Sequence, residues 1–333
     1  MSDSVLEHQL LDESTWQEYL ERGGDYSFFA TPAWGRVLSA AALGYRSTAI
    51  EFELGPHRAL MPLVKRTQFG IVTYQSVAYG TYGGLIPLSG PLEPSALGAD
   101  AARWFKSTPS FGLLVAYPGP RPHYPFPTSF DRYRANVIDL NGRSPQQLLD
   151  AMRAKTRQYI RKAERSAIRI ETELSERTVH AYYGLLVDSS RRWGRGEPAK
   201  PLSLFEAVRR ECAPEAVRLW MAWVDGQPAA GLVCFYGKGE VFAWSAALDE
   251  RLAATRANYL LHWAAIEDAV NRGFATFNLG SNEGLEGVRW FKEGLGARPI
   301  EYPAYIVAGR AYSAVFQAWR RWRALRSSRR AAR

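Results

Sequence analysis

The distribution of apolar and polar residues predicts a strand meander in the first half of the chain. Arg46 to Glu53 and Arg58 to Lys65 are short strand-like runs on either side of the turn formers Gly55-Pro56. A third strand is predicted at Phe69 to Tyr74, just before the glycine-rich residues 78–87. The first half is therefore expected to contain antiparallel strands that follow a helical opening.

The second half repeats this plan with clearer signals. Asp225-Gly226 is a strong hairpin signal between two apolar runs. Helices are expected at residues 146–166 and 179–192, ahead of the meander. The predicted strands are Arg218 to Val224, Ala229 to Tyr236 and Glu240 to Ala246, with a further turn at Gly237 to Gly239.

A long apolar helix is predicted after the second meander, over Ala257 to Arg272. It is apolar almost all round, so we expect it to be buried. Its main stripe consists of Tyr259, Trp263, Ile266 and Val270. Gly273 is well placed to end the helix, and a strand at Phe274 to Leu279 and a helix at Glu283 to Glu293 are predicted to follow.

Turn formers cluster between the two halves, at Asn141 to Pro145. The sequence therefore predicts an N-terminal domain of residues 1–142 and a C-terminal domain of residues 143–309. Residues 310–333 differ from both in composition and are predicted to form a separate tail.

The net charge of +9 is concentrated in that tail. Of 42 basic residues, eight arginines lie within 310–333, which has no acidic residue, so 34 basic residues face 33 acidic ones elsewhere. Val315, Trp319 and Trp322 recur at helical intervals, which predicts a basic amphipathic helix. Such a helix binds phosphate backbones, lies on an anionic membrane surface, or only keeps the terminus soluble, and all three remain open.

Composition narrows the class of protein. The two cysteines, Cys212 and Cys234, are too few for a disulfide framework or a thiolate metal cage, and the histidines do not pair at ligand spacing. We therefore expect neither a metal nor a cofactor. Neither a secretory signal nor an apolar run of about 20 residues is visible, so a cytoplasmic protein is expected, peripheral to the inner membrane face if the tail binds lipid.

Five segments resemble the Fem family of non-ribosomal aminoacyl and peptidyl transferases. In the second half they are RAKTRQYIRKAERSAIRIET (153–172), RANYLLHWAAIEDAVNRGFATFNLG (256–280) and FKEGLGA (291–297). In the first half they are FFATPAWGRVL (28–38) and YGTYGGLI (79–86). The resemblance spans nearly the whole chain and implies an α+β fold of two tandem GNAT-like domains, with mixed, mostly antiparallel sheets flanked by helices.

The resemblance also implies an activity. Fem enzymes move an amino acid from its tRNA ester to an amine of a peptidoglycan precursor. We therefore expect a Fem-like N-acyltransferase, with aminoacyl-tRNA as the donor and a peptide or peptidoglycan-precursor-type amine as the acceptor. An acyl-CoA-dependent N-acyltransferase of the same fold, and a non-catalytic relative that binds RNA or a membrane surface, stay open as alternatives.

Lys292 is expected at the active centre, because the resemblance places the lysine of the FKEGLGA stretch there. When an amine attacks an ester carbonyl, negative charge develops on the oxygen, and removing a fixed donor to that oxygen typically costs about 10²–10³-fold in rate. The residues alone also permit a simpler role, since a lysine at a helix C-terminus gains roughly 0.3–1 kcal/mol from the helix dipole. Phe291 is grouped with Lys292, as a pocket wall.

A column of arginines marks the first helix of the second half. It consists of Arg153, Arg157, Arg161 and Arg165, which recur every four residues and share one face. Guanidinium groups bind phosphate well, so Arg157 and Arg161 are expected to hold a phosphate-bearing substrate or an RNA backbone. A solvated helix face is the alternative.

The loop of residues 191–205 supplies further binding candidates. The resemblance places a basic contact to a nucleotide diphosphate in a comparable loop, and Arg192 and Lys200 match it loosely. In the first half, the predicted substrate-binding residues are Trp34, Arg36 and Tyr82, for which packing or a plain turn is the alternative.

No general base stands out from the sequence, although Asp249 and Glu283 are placed near predicted element ends. The wider GNAT group holds the pyrophosphate of coenzyme A in a glycine-containing turn before the long helix. Residues 251–257 occupy that place and contain no glycine. This argues against coenzyme A as the donor.

Overall fold

The chain is described from a computed structural model that covers residues 7–22, 26–54, 57–68, 70–76, 78–88, 99, 102–105, 111–115, 130–194, 196–282 and 284–308. The predicted basic tail of residues 310–333 lies outside these ranges. Its helix and its contacts with RNA or lipid therefore stay predictions.

The described residues contain these strands and helices. The strands are β1 Glu7–Leu10, β2 Tyr45–Leu54, β3 His57–Gln68, β4 Ile71–Gln75, β5 Ile86–Pro87, β6 Phe111–Val115, β7 Phe130–Asp139, β8 Ile168–Glu171, β9 Val217–Val224, β10 Gln227–Tyr236, β11 Glu240–Leu248, β12 Thr276–Asn278 and β13 Arg298–Ala308. The α-helices are α1 Glu13–Arg22, α2 Pro32–Ala40, α3 Pro145–Ala151, α4 Ala154–Glu164, α5 Glu176–Arg192, α6 Leu202–Glu211, α7 Ala257–Asn271 and α8 Glu286–Gly294. Two 3₁₀ helices lie at Phe28–Ala30 and Glu250–Thr255.

These strands form one continuous mixed sheet within the described ranges, in the order β1-β2-β3-β4-β6-β13-β7-β12-β11-β10-β9-β8, with β5 paired to β3. Each end of the sheet is an antiparallel meander that leads inward through a parallel pair, β4 with β6 and β11 with β12. We call residues 7–115 the N-terminal lobe and residues 145–297 the C-terminal lobe. Each lobe thus repeats the same succession of strands.

Two long strands exchange places between the lobes. β7 precedes the C-terminal lobe in sequence but pairs with its strand β12, whereas β13 follows that lobe and pairs with β6 of the N-terminal lobe. β7 and β13 also pair with each other along eight residues. The predicted boundary near residue 142 falls on the Asn141-Gly142 turn between β7 and α3. Because the exchanged strands join the lobes, the division at this point stays a prediction.

Helices cover both faces of the sheet in the C-terminal lobe. The helix α7 packs on β9 and β10 on one face, and α5 packs on β10 and β11 on the other. Gly231 in β10 permits the close approach of α5, because a Cβ atom there would lie 2.5 Å from Cδ2 of the buried Tyr182. The core of this lobe is therefore two apolar layers on either side of one sheet.

The predicted strands of both meanders and the buried helix α7 are confirmed, with ends shifted by a few residues. The helix expected at residues 146–166 is divided into α3 and α4 at Met152-Arg153, which are extended. The division follows from tertiary contacts. The Arg153 N–H donates to the Gly294 carbonyl at 3.1 Å, while the Arg157 guanidinium donates to the carbonyls of Asp150 and Met152 at the end of α3.

Candidate active site

A cavity of about 800 Å³ opens where β11 and β12 separate. The two strands pair only from Glu240 to Phe242 on β11, and β11 then continues to Leu248 paired with β10 alone. The ends of α5 and α7, the loop of residues 197–200 and the helix α8 line the space, and Tyr79 of the N-terminal lobe closes one side. Its size suits a substrate larger than a single amino acid.

Lys292 lies in the wall of this cavity and is only 8% exposed. Its Nζ donates to the carbonyl oxygens of Ser281 at 2.7 Å and Gly280 at 3.3 Å, in the segment that leaves β12. Gly280 has a φ of +67°, a conformation that favours glycine, and its carbonyl also accepts the Asn136 N–H of β7 at 3.0 Å. The sheet and α8 therefore hold the ammonium group at the point where the strands diverge.

Several contacts fix α8 and hence Lys292. Gly294 allows α8 to approach α4, since a Cβ atom there would lie 2.6 Å from Oγ1 of Thr156. Arg153 pairs with Glu293 at 2.6 Å, and the Ala297 N–H donates to the carbonyl of Lys292 at 3.2 Å. The end of this helix is thus tied to α4, and its last turn is closed by its own backbone.

A buried polar group supports the segment that holds Lys292. Asn278 donates to the Glu240 carboxylate at 2.9 Å and to the Tyr82 hydroxyl at 3.3 Å, and Tyr82 donates to the same carboxylate. The Asn278 Oδ1 accepts the Gly280 N–H at 2.8 Å. Tyr82, predicted as a substrate-binding residue, is therefore buried in this network, away from the cavity lining.

Phe291 lines the cavity, as expected for a pocket wall. Its ring meets the rings of Tyr259 and His262 edge-on, each with centroids 4.9 Å apart. Both of these residues belong to α7. Phe291 therefore packs α8 against α7 in the wall of the cavity.

The sequence analysis did not single out His262, yet it lines the cavity and is 3% exposed. Its Nδ1 lies 2.8 Å from the Asn258 carbonyl. Burial, aided by the nearby charge of Lys292, lowers its pKa to about 4, so the ring is neutral near pH 7. The signal available in the sequence was a polar residue within an otherwise apolar helix.

Both loop candidates line the same cavity. Arg192 pairs with Glu250 at 3.3 Å, and its guanidinium lies over the Trp193 ring at 5.7 Å. The Lys200 Nζ lies 4.9 Å from the centre of the Trp244 ring. Two cations thus stand on the side of the cavity formed by the end of α5 and the loop that follows it.

The remaining basic candidates lie elsewhere. Arg157 is engaged with backbone carbonyls at the end of α3, and Arg161 is exposed on the following turn of α4. Neither belongs to the cavity lining. Arg36 pairs with Glu13 at 2.6 Å near the surface of the N-terminal lobe. The structure therefore separates these three residues from Lys292.

Trp34 is 2% exposed and packs against aromatic rings of both lobes, including Phe29 and Trp244. It lines a separate space of about 10 Å³, barely enough for one water molecule. Of the candidate bases, Asp249 caps the 3₁₀ helix and pairs with Arg251, whose hydrogen bond lowers the pKa of the carboxyl. Glu283 lies outside the described residues.

The segment from Arg251 to Ala257 forms most of the 3₁₀ helix and the start of α7. Arg256 adopts a φ of +64°, and it lines the cavity together with Ala257 and Asn258. The first N–H groups of a helix have no partner within the helix and favour an anion. The N-terminus of α7 therefore opens onto the same space as Lys292.

The described residues carry neither a group of three or more metal-ligating side chains nor a helix that is long and apolar enough to cross a membrane.

Comparisons with known proteins agree with this architecture. A family model described as an acetyltransferase (GNAT) domain matches residues 150–292. The chain is similar to a solved structure of FemX, with 10% identity and a TM-score of 0.65, over 89% of this chain and 96% of that one. A search of curated protein sequences finds no match.

Two further solved structures share the fold. One is the C-terminal domain of a putative lysylphosphatidylglycerol synthetase from Agrobacterium fabrum, with 13% identity and a TM-score of 0.52, over 91% of this chain and 96% of that one. The other is a tandem GNAT protein from the clavulanic acid biosynthesis pathway, with 12% identity and a TM-score of 0.50, over 91% and 98%. The predicted tandem GNAT-like fold and its likeness to a Fem protein are confirmed at the level of fold. With the family match, the chain is an acyltransferase.

Proposed function

We propose that this acyltransferase moves an aminoacyl group from aminoacyl-tRNA to an amine of a peptide or peptidoglycan-precursor-type acceptor. The observation that carries the proposal is the buried ammonium group of Lys292, in the wall of a cavity of about 800 Å³ where β11 and β12 separate. GNAT-type transfer requires an acyl donor and an amine, and a cavity of this size has room for the reacting ends of both.

Lys292 acts on the carbonyl oxygen of the donor. As the amine attacks the ester carbon, the oxygen gains negative charge, which a cation already in place stabilises without reorganisation. The contacts of Nζ with the Gly280 and Ser281 carbonyls hold the ammonium group in place before the reaction. Burial strengthens the interaction, because little water is present to screen the two charges.

The cations Arg192 and Lys200 bind the phosphates that the substrates bring. Both line the same cavity as Lys292. Arg161, exposed on α4, extends the basic surface outside the cavity for the backbone of the tRNA. Arg157 contributes by fixing the junction of α3 and α4 that carries this surface.

The choice of an aminoacyl donor draws on two of the similar structures. The protein with a TM-score of 0.65 is a Fem protein. A second similar structure is the C-terminal domain of a protein named as a putative lysylphosphatidylglycerol synthetase, and the lysyl group in that name is an aminoacyl group. Both likenesses span nearly the whole chain, which favours a shared use of the two-lobed fold.

The experiment offers purified protein a pool of tRNAs charged with radiolabelled amino acids, or acetyl-CoA, together with a peptidoglycan-precursor pentapeptide. We expect labelled peptide from the charged tRNA, and no product after RNase treatment. Lys292→Ala and Lys292→Met should lose about 10²–10³-fold in rate. The control is Lys238→Ala, which removes an exposed cation outside the cavity and should transfer like the wild type. Full activity of Lys292→Ala would refute the proposed role.

A second candidate is acyl transfer from acyl-CoA, which the position of α7 favours. The N-terminus of this helix lines the cavity at Arg256 to Asn258, where it can hold a pyrophosphate. The absence of glycine from residues 251–257 counts against it, since side chains keep phosphate away from the backbone. Transfer from acetyl-CoA that survives RNase treatment would select this function.

A further inference from the structure

The cavity holds a second reactive group besides Lys292, the imidazole of His262. It lies on the second turn of α7 and belongs to an otherwise apolar stretch of that helix. The ring is 3% exposed and lines the cavity. A buried polar side chain at the wall of a substrate cavity needs a partner, and a substrate is the partner that reaches this position.

The hydrogen bond of His262 fixes its tautomer. Its Nδ1 is 2.8 Å from the Asn258 carbonyl oxygen, which only accepts hydrogen bonds, so Nδ1 carries the hydrogen. In the neutral ring Nε2 is then a hydrogen-bond acceptor. Nε2 has no protein partner among the described residues, and it is not one of the fully occluded unpaired atoms. Its lone pair therefore opens onto the cavity.

Two neighbours hold the ring. The Phe291 ring meets it edge-on at 4.9 Å, and the charge of the adjacent Lys292 disfavours the imidazolium form. The other titratable side chains in the cavity lining come from every element packed around it. They are Tyr79 of the N-terminal lobe, Arg256 at the N-cap of α7 and Tyr259 on α7, Glu286 on α8, Asp249 and Glu250 at the 3₁₀ helix, and Arg192, Glu197 and Lys200 beside α5. His262 and Lys292 thus present an acceptor and a cationic donor to one space.

We propose that His262 is the general base of the transfer, accepting the proton of the attacking amine at Nε2. This inference rests on the proposed acyl transfer. The amine nitrogen forms a bond to the donor carbonyl carbon, its proton moves to Nε2, and the carbonyl electron pair moves to the oxygen beside Lys292. The bond to the leaving oxygen, or to sulfur in a thioester, then breaks, and the imidazolium returns the proton to the leaving group.

Lys292 couples the two events. Before the oxyanion forms, the positive charge of Lys292 opposes protonation of His262. When the oxyanion forms, its negative charge offsets the ammonium group, so the imidazolium becomes easier to form at that moment. The attacking nitrogen also becomes acidic as it bonds to carbon. The proton therefore moves when the tetrahedral intermediate forms, and the ring stays neutral and ready before it.

The first test replaces His262 in the transfer assay with charged tRNA and the pentapeptide. His262→Gln keeps a polar side chain that cannot carry the proton, and it should lower kcat by about 10²–10⁴-fold with KM nearly unchanged. The matched control is His180→Gln, because His180 is exposed on α5 and makes the same contact, with Nδ1 2.9 Å from the Glu176 carbonyl. Unchanged kcat in His262→Gln, with the wild type active, would overturn the proposal.

Chemical rescue separates a base from a packing residue. In His262→Ala, added imidazole should restore part of the lost rate, whereas pyrrole, which has the same shape but no basic nitrogen, should not. Imidazole should not rescue Lys292→Ala. Equal rescue by pyrrole and imidazole would show that the ring only fills space.

A chemical probe tests the premise of the inference, an accessible and unprotonated Nε2, separately from transfer, so that it can be read even where no donor supports transfer and the proposed function has failed. Diethyl pyrocarbonate acylates unprotonated imidazole nitrogens that it reaches. Peptide mapping of the treated protein at pH 6 should find His262 modified as well as the exposed His180. Modification of His180 with His262 untouched would show that Nε2 does not present a free base to the cavity, and the assignment would fall.

Discussion

The two lobes share a strand plan, yet they use the space beside their parallel strand pair differently. In the C-terminal lobe, β11 and β12 pair over three residues and then diverge around the cavity that contains Lys292. In the N-terminal lobe, β4 and β6 also pair over three residues. There the rings of Tyr74, Trp104 and Phe105 pack edge-to-face, with centroids 4.7 to 6.2 Å apart.

The difference teaches that this topology supplies a place for a site but not the site itself. In the C-terminal lobe, small residues of β11 such as Ala243 and Ala247 leave room, and polar groups face it. In the N-terminal lobe, aromatic side chains occupy the described part of the corresponding region, so that region acts as core. We therefore place the proposed chemistry in the C-terminal lobe, which the N-terminal lobe contacts through Tyr79 and Tyr82.

The largest expected effect on stability comes from removing one ring of this aromatic cluster. Phe105 is fully buried in the N-terminal lobe, so Phe105→Ala should lower the free energy of unfolding by about 3–5 kcal/mol. Urea unfolding measures it. The new space lacks a cation, so no additional transfer activity is expected. A neutral effect on stability would show that this region is not packed as core.

Lowering the pH should reduce the stability of the folded protein through the buried His262. Its pKa in the folded protein is about 4, against the ordinary value of 6.5, so between these values the unfolded chain binds a proton that the folded chain does not. Stability is then full above pH 6.5 and falls by about 3 kcal/mol as the pH drops to 4. Unfolding of His262→Gln at the same pH values should lack this component, and parallel curves for the two proteins would contradict the assignment.

A large side chain in the cavity should make the C-terminal lobe resemble the N-terminal lobe, in which aromatic rings fill the corresponding region. Val288 on α8 lines the cavity, so Val288→Trp should reduce the transfer rate by about 10²-fold through displaced substrate. The matched control is Arg289→Trp, one position along the same helix, exposed and outside the lining. Equal activity of both variants would mean that the substrate does not enter this space.

The smallest effect is expected at the strands that join the lobes. Arg134 on β7 pairs with Glu301 on β13 at 2.8 Å, but its side chain is 73% exposed. Arg134→Ala should change the free energy of unfolding by no more than about 1 kcal/mol, since water and salt screen exposed pairs. A larger loss in thermal or urea unfolding would show that the strand exchange depends on this pair.

The sequence predicted the elements whose signals are local. The meanders have two-residue periodicity and turn residues between strands, and the apolar α7 has a stripe at helical spacing, so all of them were found. The strands β7 and β13 and the helix α6 were not predicted. Their residues form a strand or a helix because of the neighbours they pack against, and β7 and β13 pair at a distance of more than 150 residues in sequence.

The residues of the candidate site divide in the same way, into those with a signal in the sequence and those brought together only by the fold. The resemblance of the sequence to the Fem family selected Lys292, Phe291, Arg192 and Lys200, which all line the cavity. The spacing of the arginines selected Arg157, which the fold uses to join α3 to α4, while His262 was passed over. The spacing of residues along the chain shows which of them share a helix face, but it does not show which part of the protein that face packs against. The opening of the sheet after Phe242, and the meeting of an ammonium group with a neutral imidazole beside it, depend on packing between α7, α8 and β12, and only the tertiary structure decides that.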